Sequence, residues 1–376
     1  MRITILQGAF LPVPPLQGGA VEKLWFELGK CFVRHGHDVV HISRAHQDLP
    51  RHQAIEGVVH LRIRGFDMPR SAFLLKLFDL IYSIRALYVL PNADILITNT
   101  FWMPILLRLP LRRKGLIVVS VERMPKGQMR FYQHVSLLRC CSTAVRNRVL
   151  YEQPRLAAKA IVVPNPLPFS VKVSAPLADK KPIILYCGRI HPEKGIDLLL
   201  RAFVIACQLG LFGWKLRIVG PSDIAHGGGG DTWLHSLQHL PNLKYLPVEW
   251  VGPIYDQETL FGEYRRSSLF VYPSLAETGE AMGLAPLEAM AHGSVPIVSL
   301  LPCFQDFIFP GINGMTFDHR SSDADANLAR LIFALAADSS RRRSLSHQAA
   351  YVRHSHASTR IAKMLISQFD QLLECH

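Results

Sequence analysis

The chain has 376 residues, 49% of them hydrophobic and 19% charged, a composition suited to globular packing and a length beyond one typical core. Its net charge is +13, and the excess sits in residues 1–180, with 25 Lys/Arg against 11 Asp/Glu; residues 181–376 hold 17 against 18. A basic half fits nucleic acid, an anionic membrane or an acidic substrate. No zinc-finger spacing, RNA-binding aromatic signature or helix-turn-helix accompanies it, so no nucleic-acid partner is expected.

Apolar strands alternate with helical patterns along the chain, which predicts βα units and parallel sheets. The first strand, 3–6, has no secretory signal before it, and the expected location is cytoplasmic. Gly18 and Gly19 precede a helix with Val21, Leu24, Trp25, Leu28, Cys31 and Phe32 at helical spacing, ending near Gly36. Further strands are expected at 39–42, 61–63, 95–98, 117–121 and 160–163. Residues 71–90 are apolar but interrupted by Lys76, Asp79 and Arg85, which argues against a membrane-spanning helix. Two readings stand for this stretch: an amphipathic helix lying in a membrane interface, or a core-packed helix. The basic run Arg108, Arg112, Arg113 and Lys114 adds to the membrane reading, so an anionic membrane surface is an expected partner.

Five prolines between 164 and 182 mark a linker. The expected organisation is a domain at 1–165, a linker at 166–182, a second domain at 183–355 and a terminal helix at 356–376. Strands of the second series are expected at 183–187, 216–219, 269–272 and 295–298. The seven cysteines are odd in number and lack metal-ligand spacing, which suits a reducing compartment.

Two loops of the second series carry chemistry. In Gly188-Arg189-Ile190-His191-Pro192-Glu193-Lys194-Gly195, Arg189 offers a planar fork of donors and Lys194 a compact cation. Both suit a diphosphate, since charge-assisted bonds of this kind are the strong ones. Strand 269–272 runs into a polar loop, and a helix starts near Pro286, a residue tolerated in the first turn. Backbone N–H groups and the positive end of a helix then aim at the loop's occupant. Glu280 stands before that terminus and Glu288 lies eight residues later, which together suit a nucleotide-sugar: amides for diphosphate, carboxylates for hydroxyls.

Glu280 and Glu288, spaced Glu-x7-Glu before Ala289-Met290-Ala291-His292-Gly293, resemble the signature of the retaining glycosyltransferases of family 4. Gly188-Arg189 with Lys194-Gly195 looks like that family's diphosphate clamp, and Gly18-Gly19 is similar to its donor-side glycine loop. The resemblance implies an α/β chain of the GT-B fold, two facing Rossmann-like domains with an interdomain cleft. It implies a terminal helix that crosses back to the first domain. It also implies that Glu288 holds the ribose, that Glu280 contacts the sugar, and that amides of Met282, Gly283, Leu284 and Ala285 receive the diphosphate. Arg189 and Lys194 would then stabilise the departing nucleotide.

Many members place a histidine where Glu122 stands. This chain departs from the pattern, so Glu122 is either a group acting on sugar or acceptor or a salt-bridged loop residue. Arg123 and Lys126 are candidates for an acceptor phosphate. Asp323-Ala324-Asp325 imitates a metal-binding Asp-x-Asp but sits in a polar helix start, and no metal or cofactor is expected beyond the nucleotide-sugar donor. The implied activity is metal-independent, retaining transfer of a hexosyl unit to a saccharide, expected to be lipid-linked, in surface polysaccharide synthesis at the inner membrane face. A GT-B epimerase, a glycogen-type synthase and an inactive nucleotide-sugar-binding scaffold are the alternatives.

Overall fold

The computed structural model describes residues 1–69, 71–108, 115–172 and 177–375. Residues 109–114 of the basic run and 173–176 of the proline-rich stretch lie outside that range. The chain divides into two units, Met1–Ser170 with His356–His376, and Val171–Ser355.

The first unit contains β1 (Arg2–Leu6), α1 (Ala20–Arg34), β2 (Asp38–Arg44), β3 (His52–Ile55), β4 (Val58–Ile63), α2 (Ala72–Val89), β5 (Ile95–Thr98), α3 (Met103–Leu106), β6 (Leu116–Val121), β7 (Leu137–Cys140), α4 (Thr143–Glu152) and β8 (Ala160–Val162). Its strands run in the order β3-β4-β2-β1-β5-β6-β7-β8, parallel except for the β3–β4 pair. Alternation along the strands splits the core. Ile3, Ile5, Ile95 and Ile97 pack with Trp25, Leu28 and Phe32 of α1, while Leu6, Ile42 and Leu96 pack with Tyr82 and Ala86 of α2.

Two strands of this sheet escape the apolar pattern. β3 (His-Gln-Ala-Ile) is half exposed and joins β4 through Glu56 and Gly57, whose φ of 46° and 83° suits a tight hairpin turn. β7 carries Arg139 in a fully buried Leu-Leu-Arg-Cys run.

The second unit contains β9 (Lys181–Cys187), α5 (Ile196–Gln208), β10 (Lys215–Val219), α6 (Asp231–Gln238), β11 (Val248–Gly252), α7 (Gln257–Arg266), β12 (Ser267–Tyr272), α8 (Leu284–Ala291), β13 (Val295–Ser299), β14 (Met315–Phe317), α9 (Ala324–Ala337), α10 (Ser339–Ala349) and α11 (Val352–Ser355). The sheet is parallel throughout, in the order β11-β10-β9-β12-β13-β14. The closing helix, α12 (Ser358–Glu374), belongs to the first unit. There Ile361, Ala362, Leu365 and Phe369 enter the core beside α1, with the Phe369 and Phe32 rings 6.0 Å apart.

Strand order reverses at β1, which lies between β2 and β5, and at β9, which lies between β10 and β12. Ligands of open α/β sheets bind beyond the carboxyl ends of the strands at such a point. The fold therefore draws attention to the loops after β9 and β12.

A buried polar pair lies elsewhere. His41 of β2 and His60 of β4 are register partners, their rings 5.3 Å apart, and none of their four nitrogens has a hydrogen-bond partner. Burial pushes the His41 pKa well down and that of His60 to about 4, with Arg62 adding to both. Both are neutral in the native state at pH 7. Between about pH 6.5 and pH 4 the unfolded chain binds protons that the native state refuses, so stability is full above that window and falls on acidification. His60→Phe is expected to flatten the fall, by up to about 1.4 kcal/mol per pH unit, in urea unfolding followed from pH 7.5 to pH 5. An unchanged slope would place the acid sensitivity in other groups.

Candidate functional site

The loop after β9 is shaped by what lies beneath it. Gly195 has φ +67°, and a Cβ there would stand 2.1 Å from the carbonyl oxygen of Pro273, the first residue after β12. Glycine is the residue that accepts both the left-handed backbone and the contact. The Leu275 amide donates to the Glu193 carbonyl at 2.8 Å, so the two loops are laced together by backbone. His191 caps the short turn Pro192–Lys194, accepting from the Glu193 amide.

Lys194 and Glu280 meet across this seam. The Lys194 ammonium donates to Glu280 Oε2 at 2.7 Å, and both residues are less than a tenth exposed, at 6% and 9%. Ser274 Oγ donates to the same oxygen at 2.9 Å, and the Lys194 Nζ stands 5.4 Å from the Tyr272 ring centre. Tyr272 stacks on Tyr186, whose hydroxyl donates to the Arg189 carbonyl. The Lys194 charge is thus held by a carboxylate and an aromatic face, and its carbon stem is buried.

Arg189 is more open. Its guanidinium donates to the Gly227 carbonyl at 2.8 Å and to Glu193 Oε1 at 2.7 Å, with nearly half of the side chain exposed. An exposed pair of this kind contributes about 0–1 kcal/mol, so a phosphate could take over the fork at little cost.

The polar loop after β12 ends at Gly283, the residue before α8. A Cβ at Gly283 would meet the Phe304 ring at 2.5 Å. Gly283, Leu284 and Ala285 fall where amides have no carbonyl one turn back, and the third helical residue, Pro286, has no N–H. Glu288 lies one turn further, 8% exposed, and accepts from the Tyr264 hydroxyl at 3.2 Å. Tyr264 itself is fully buried and stacks on His292, the residue after α8, which burial drives to a pKa of about 3. Arg189, Lys194, Glu280, Glu288 and the α8 terminus thus all lie on the loops and helix that follow β9 and β12.

In the first unit Gly18 and Gly19 have φ of +78° and +94°, and Gly19 precedes α1. Glu22 sits under them: a Cβ on Gly19 would lie 2.2 Å from its Oε2. Burial raises the Glu22 pKa, the Arg123 charge opposes the rise and the Glu122 charge adds to it. Glu122 accepts from Ser120 Oγ at 2.7 Å and pairs with the buried Arg139, whose other amine reaches the Pro164 carbonyl and Asn165 Oδ1. Of the readings open for Glu122, this is the salt-bridged one. Arg123 and Lys126 are exposed, and the Lys126 amide is held by Gln128.

Asp323 stands at the N-cap position of α9 without a side-chain capping bond, and Asp325 accepts from Arg201 at 3.3 Å. Among the described residues no group of three or more His, Cys, Asp or Glu is placed to hold a metal ion. Cys187 ends β9 and contacts the Tyr264 hydroxyl. Ser274 and Tyr264, which fix the two carboxylates, carried no sequence signal, because each acts through a fold contact and not through spacing within a motif.

Residues 171–351 match the family model described as glycosyl transferases group 1. The chain is 28% identical over 193 residues to a lipopolysaccharide 1,2-N-acetylglucosaminetransferase of Salmonella typhimurium, a match covering 48% of this chain and 49% of that protein. The matched region thus spans about half the length of that relative. Among solved structures, a sucrose-phosphate synthase from Thermosynechococcus elongatus superposes over 100% of both chains, with a TM-score of 0.81 and 19% identity. An Anabaena protein in complex with UDP-glucose superposes over 99% of this chain and 100% of that one, at 0.73 and 16%. The fold is GT-B, with two Rossmann-like sheets, parallel apart from the β3–β4 pair and flanked by helices.

The seam between the two loops makes a measurable demand. Gly195→Ala meets backbone strain and the Pro273 oxygen together, whereas Gly213→Ala meets a φ of +75° in open space. Strain alone is expected to cost about 1–3 kcal/mol, and Gly195→Ala should exceed Gly213→Ala in chemical denaturation. Equal losses would mean that the loops are not tightly joined.

Proposed function

We propose, from the match of residues 171–351 to the model of glycosyl transferases group 1, which covers the second unit almost end to end, that the chain is a retaining glycosyltransferase. It moves a hexosyl unit from a nucleoside-diphosphate sugar to a lipid-linked saccharide at the inner membrane face, in surface polysaccharide synthesis. The observation that carries this reading is the buried Lys194–Glu280 pair at the β9–β12 reversal, with Glu288 and the α8 terminus following on the same chain segment. The Anabaena neighbour's complex with UDP-glucose and the Salmonella relative's acceptor class support donor and acceptor respectively.

In this reading Glu288, oriented by Tyr264, accepts hydrogen bonds from the ribose hydroxyls. The amides at Met282, Gly283, Leu284 and Ala285 receive the diphosphate, aided by the positive end of α8. Arg189 exchanges Glu193 for a phosphate oxygen, and Lys194 uses the donors that Glu280 leaves over. Glu280 accepts from a sugar hydroxyl. The bond from the anomeric carbon to the β-phosphate oxygen breaks, and the acceptor oxygen bonds to that carbon on the same face. Its proton passes to the departing phosphate. Charge that grows on the leaving group meets cations already in place, and a preorganised donor of this type contributes about 3–4 kcal/mol. These donors serve the diphosphate without a metal. Glu122, whose Oε1 pairs with Arg139, is assigned no step.

One specific observation favours a second reading. Glu122 stands in an ion pair where the resembled family often has histidine, which suits a nucleotide-sugar-binding scaffold without turnover. Incubating the protein with UDP-, GDP- and ADP-sugars and a membrane lipid extract, with mass spectrometric detection of glycosylated lipid, decides between them. Tight donor binding with neither transfer nor slow donor hydrolysis would leave the scaffold. Transfer to soluble glucan alone would point to a glycogen-type synthase.

Lys194→Met is expected to lower turnover about a hundredfold or more. It also leaves Glu280 buried without its partner, at a cost of about 3–5 kcal/mol of stability. Adding Glu280→Gln should recover most of that stability and none of the turnover. Near-normal kinetics in either variant would remove Lys194 from the mechanism.

A further inference from the structure

Helix α2 buries polar groups beside its core contacts and leaves an apolar face in water. Its buried side carries Asp79, Tyr82, Ser83 and Ala86, and neither the Tyr82 hydroxyl nor the Ser83 hydroxyl has a hydrogen-bond partner. Asp79 accepts from the Phe101 and Trp102 amides at 3.1 Å each, which caps the turn leading into α3. The opposite side carries Phe73, Leu77, Leu80, Ile84 and Tyr88, spaced four, three, four and four residues apart and so on one face of the helix. Phe73 is 74% exposed and Tyr88 87%; Leu77 and Ile84 are exposed between them, and Leu80 partly so. Single exposed apolar residues are ordinary, but a continuous stripe along a whole helix marks a contact surface.

Charge selects the occupant. Asp79 is the one acid of α2 and is buried, while Lys76 and Arg85 lie on the same helix as the stripe. Arg85 donates to the Arg64 carbonyl at 2.9 Å, which brings the exposed Arg64 alongside. The Lys76 ammonium stands 5.4 Å from the Phe101 ring centre, and its carbonyl accepts from the Trp102 indole. In a two-fold pairing of two copies through this face, cations of one helix would face cations of the other, with no exposed acid of α2 to offset them. No described helix is long and apolar enough to cross a membrane, so the stripe suits a surface on which a helix lies.

We propose that the face of α2 from Phe73 to Tyr88 docks the chain flat on a bilayer rich in anionic phospholipid. Phe73, Leu77, Ile84 and Tyr88 enter the boundary between headgroups and acyl chains, and Lys76 and Arg85 pair with headgroup phosphates. The inference deepens the lipid-linked-acceptor reading and rests on it for the source of the surface. The contact itself requires no turnover.

The test is co-sedimentation of the full chain with vesicles of phosphatidylcholine, with and without phosphatidylglycerol. Binding is expected with phosphatidylglycerol, weakened by salt, and lowered about tenfold or more in Phe73→Ser/Tyr88→Ser, whose parent side chains are exposed. Lys76→Glu should weaken it further. Thermal unfolding of the variants should match the parent. Tyr88→Trp should blue-shift its emission on vesicle binding.

Absence of binding to phosphatidylglycerol vesicles, equal binding to neutral ones, or unchanged binding by the double serine variant would each overturn the proposal. So would a variant that loses only self-association in sedimentation velocity. Donor hydrolysis, measured in parallel without lipid, separates the two readings. Hydrolysis without vesicle binding sinks this inference alone, and vesicle binding without any turnover sinks the transferase.

Discussion

A lysine and a glutamate, each more than nine-tenths buried, hold the β9 and β12 loops together. Taking both charges out of water is expensive, and their attraction repays it only with good geometry and further hydrogen bonds. Here Ser274 supplies one bond to the carboxylate and the Tyr272 ring offers its face to the ammonium. Hydrophobic residues of equal volume would hold the seam as well. What the pair adds is direction: an ammonium with three donors and a fixed tether, standing at the strand-order reversal. Gly195 allows the approach, because any side chain there would collide with the Pro273 oxygen. The same physics governs Glu288, whose carboxylate is fixed by a hydroxyl from α7.

Where buried polar groups are unpaired, the molecule shows a different balance. His41 and His60 stack in the first unit with no partner for any ring nitrogen, and burial keeps them neutral. Arg139 is fully buried too, but its two amines bond a carboxylate, a carbonyl and an amide oxygen, leaving only its Nε without a partner. One region takes the cost as lost stability at low pH, the other as a network that must stay whole. In α2 Asp79 and Ser83 are buried beside Tyr82 and Ala86 while an apolar stripe lies in water, the distribution expected of a contact surface.

Much of the fold was readable because its cause is local. Continuous apolar runs at 95–98, 183–187 and 269–272 are what a strand buried on both faces requires, and each became a central strand. The strands that escaped lack such a run. β7 contains an arginine that belongs there only because Glu122, Pro164 and Asn165 surround it. β11 is half exposed at every position and β14 is three residues long, both at sheet edges where periodicity fades. For the candidate site, loop glycines and charges were legible as motif spacing. The contacts that orient them, Tyr264 on Glu288 and Ser274 on Glu280, join separate elements and leave no local pattern. The ion pair that occupies Glu122 was legible only as one of two choices.

The last helix has a bearing on how the protein is made. α12 supplies Ile361, Leu365 and Phe369 to a core otherwise built from residues before 171, so that core stays unfinished while the whole second unit is translated. At about 5–20 residues per second the delay lasts on the order of ten to forty seconds. During it the α1 surface around Phe32 has no cover, and a nascent chain in that state is a natural client for a chaperone that shields apolar grooves. A ribosome stalled before Ser358 would release a product whose second unit is complete and whose first is not.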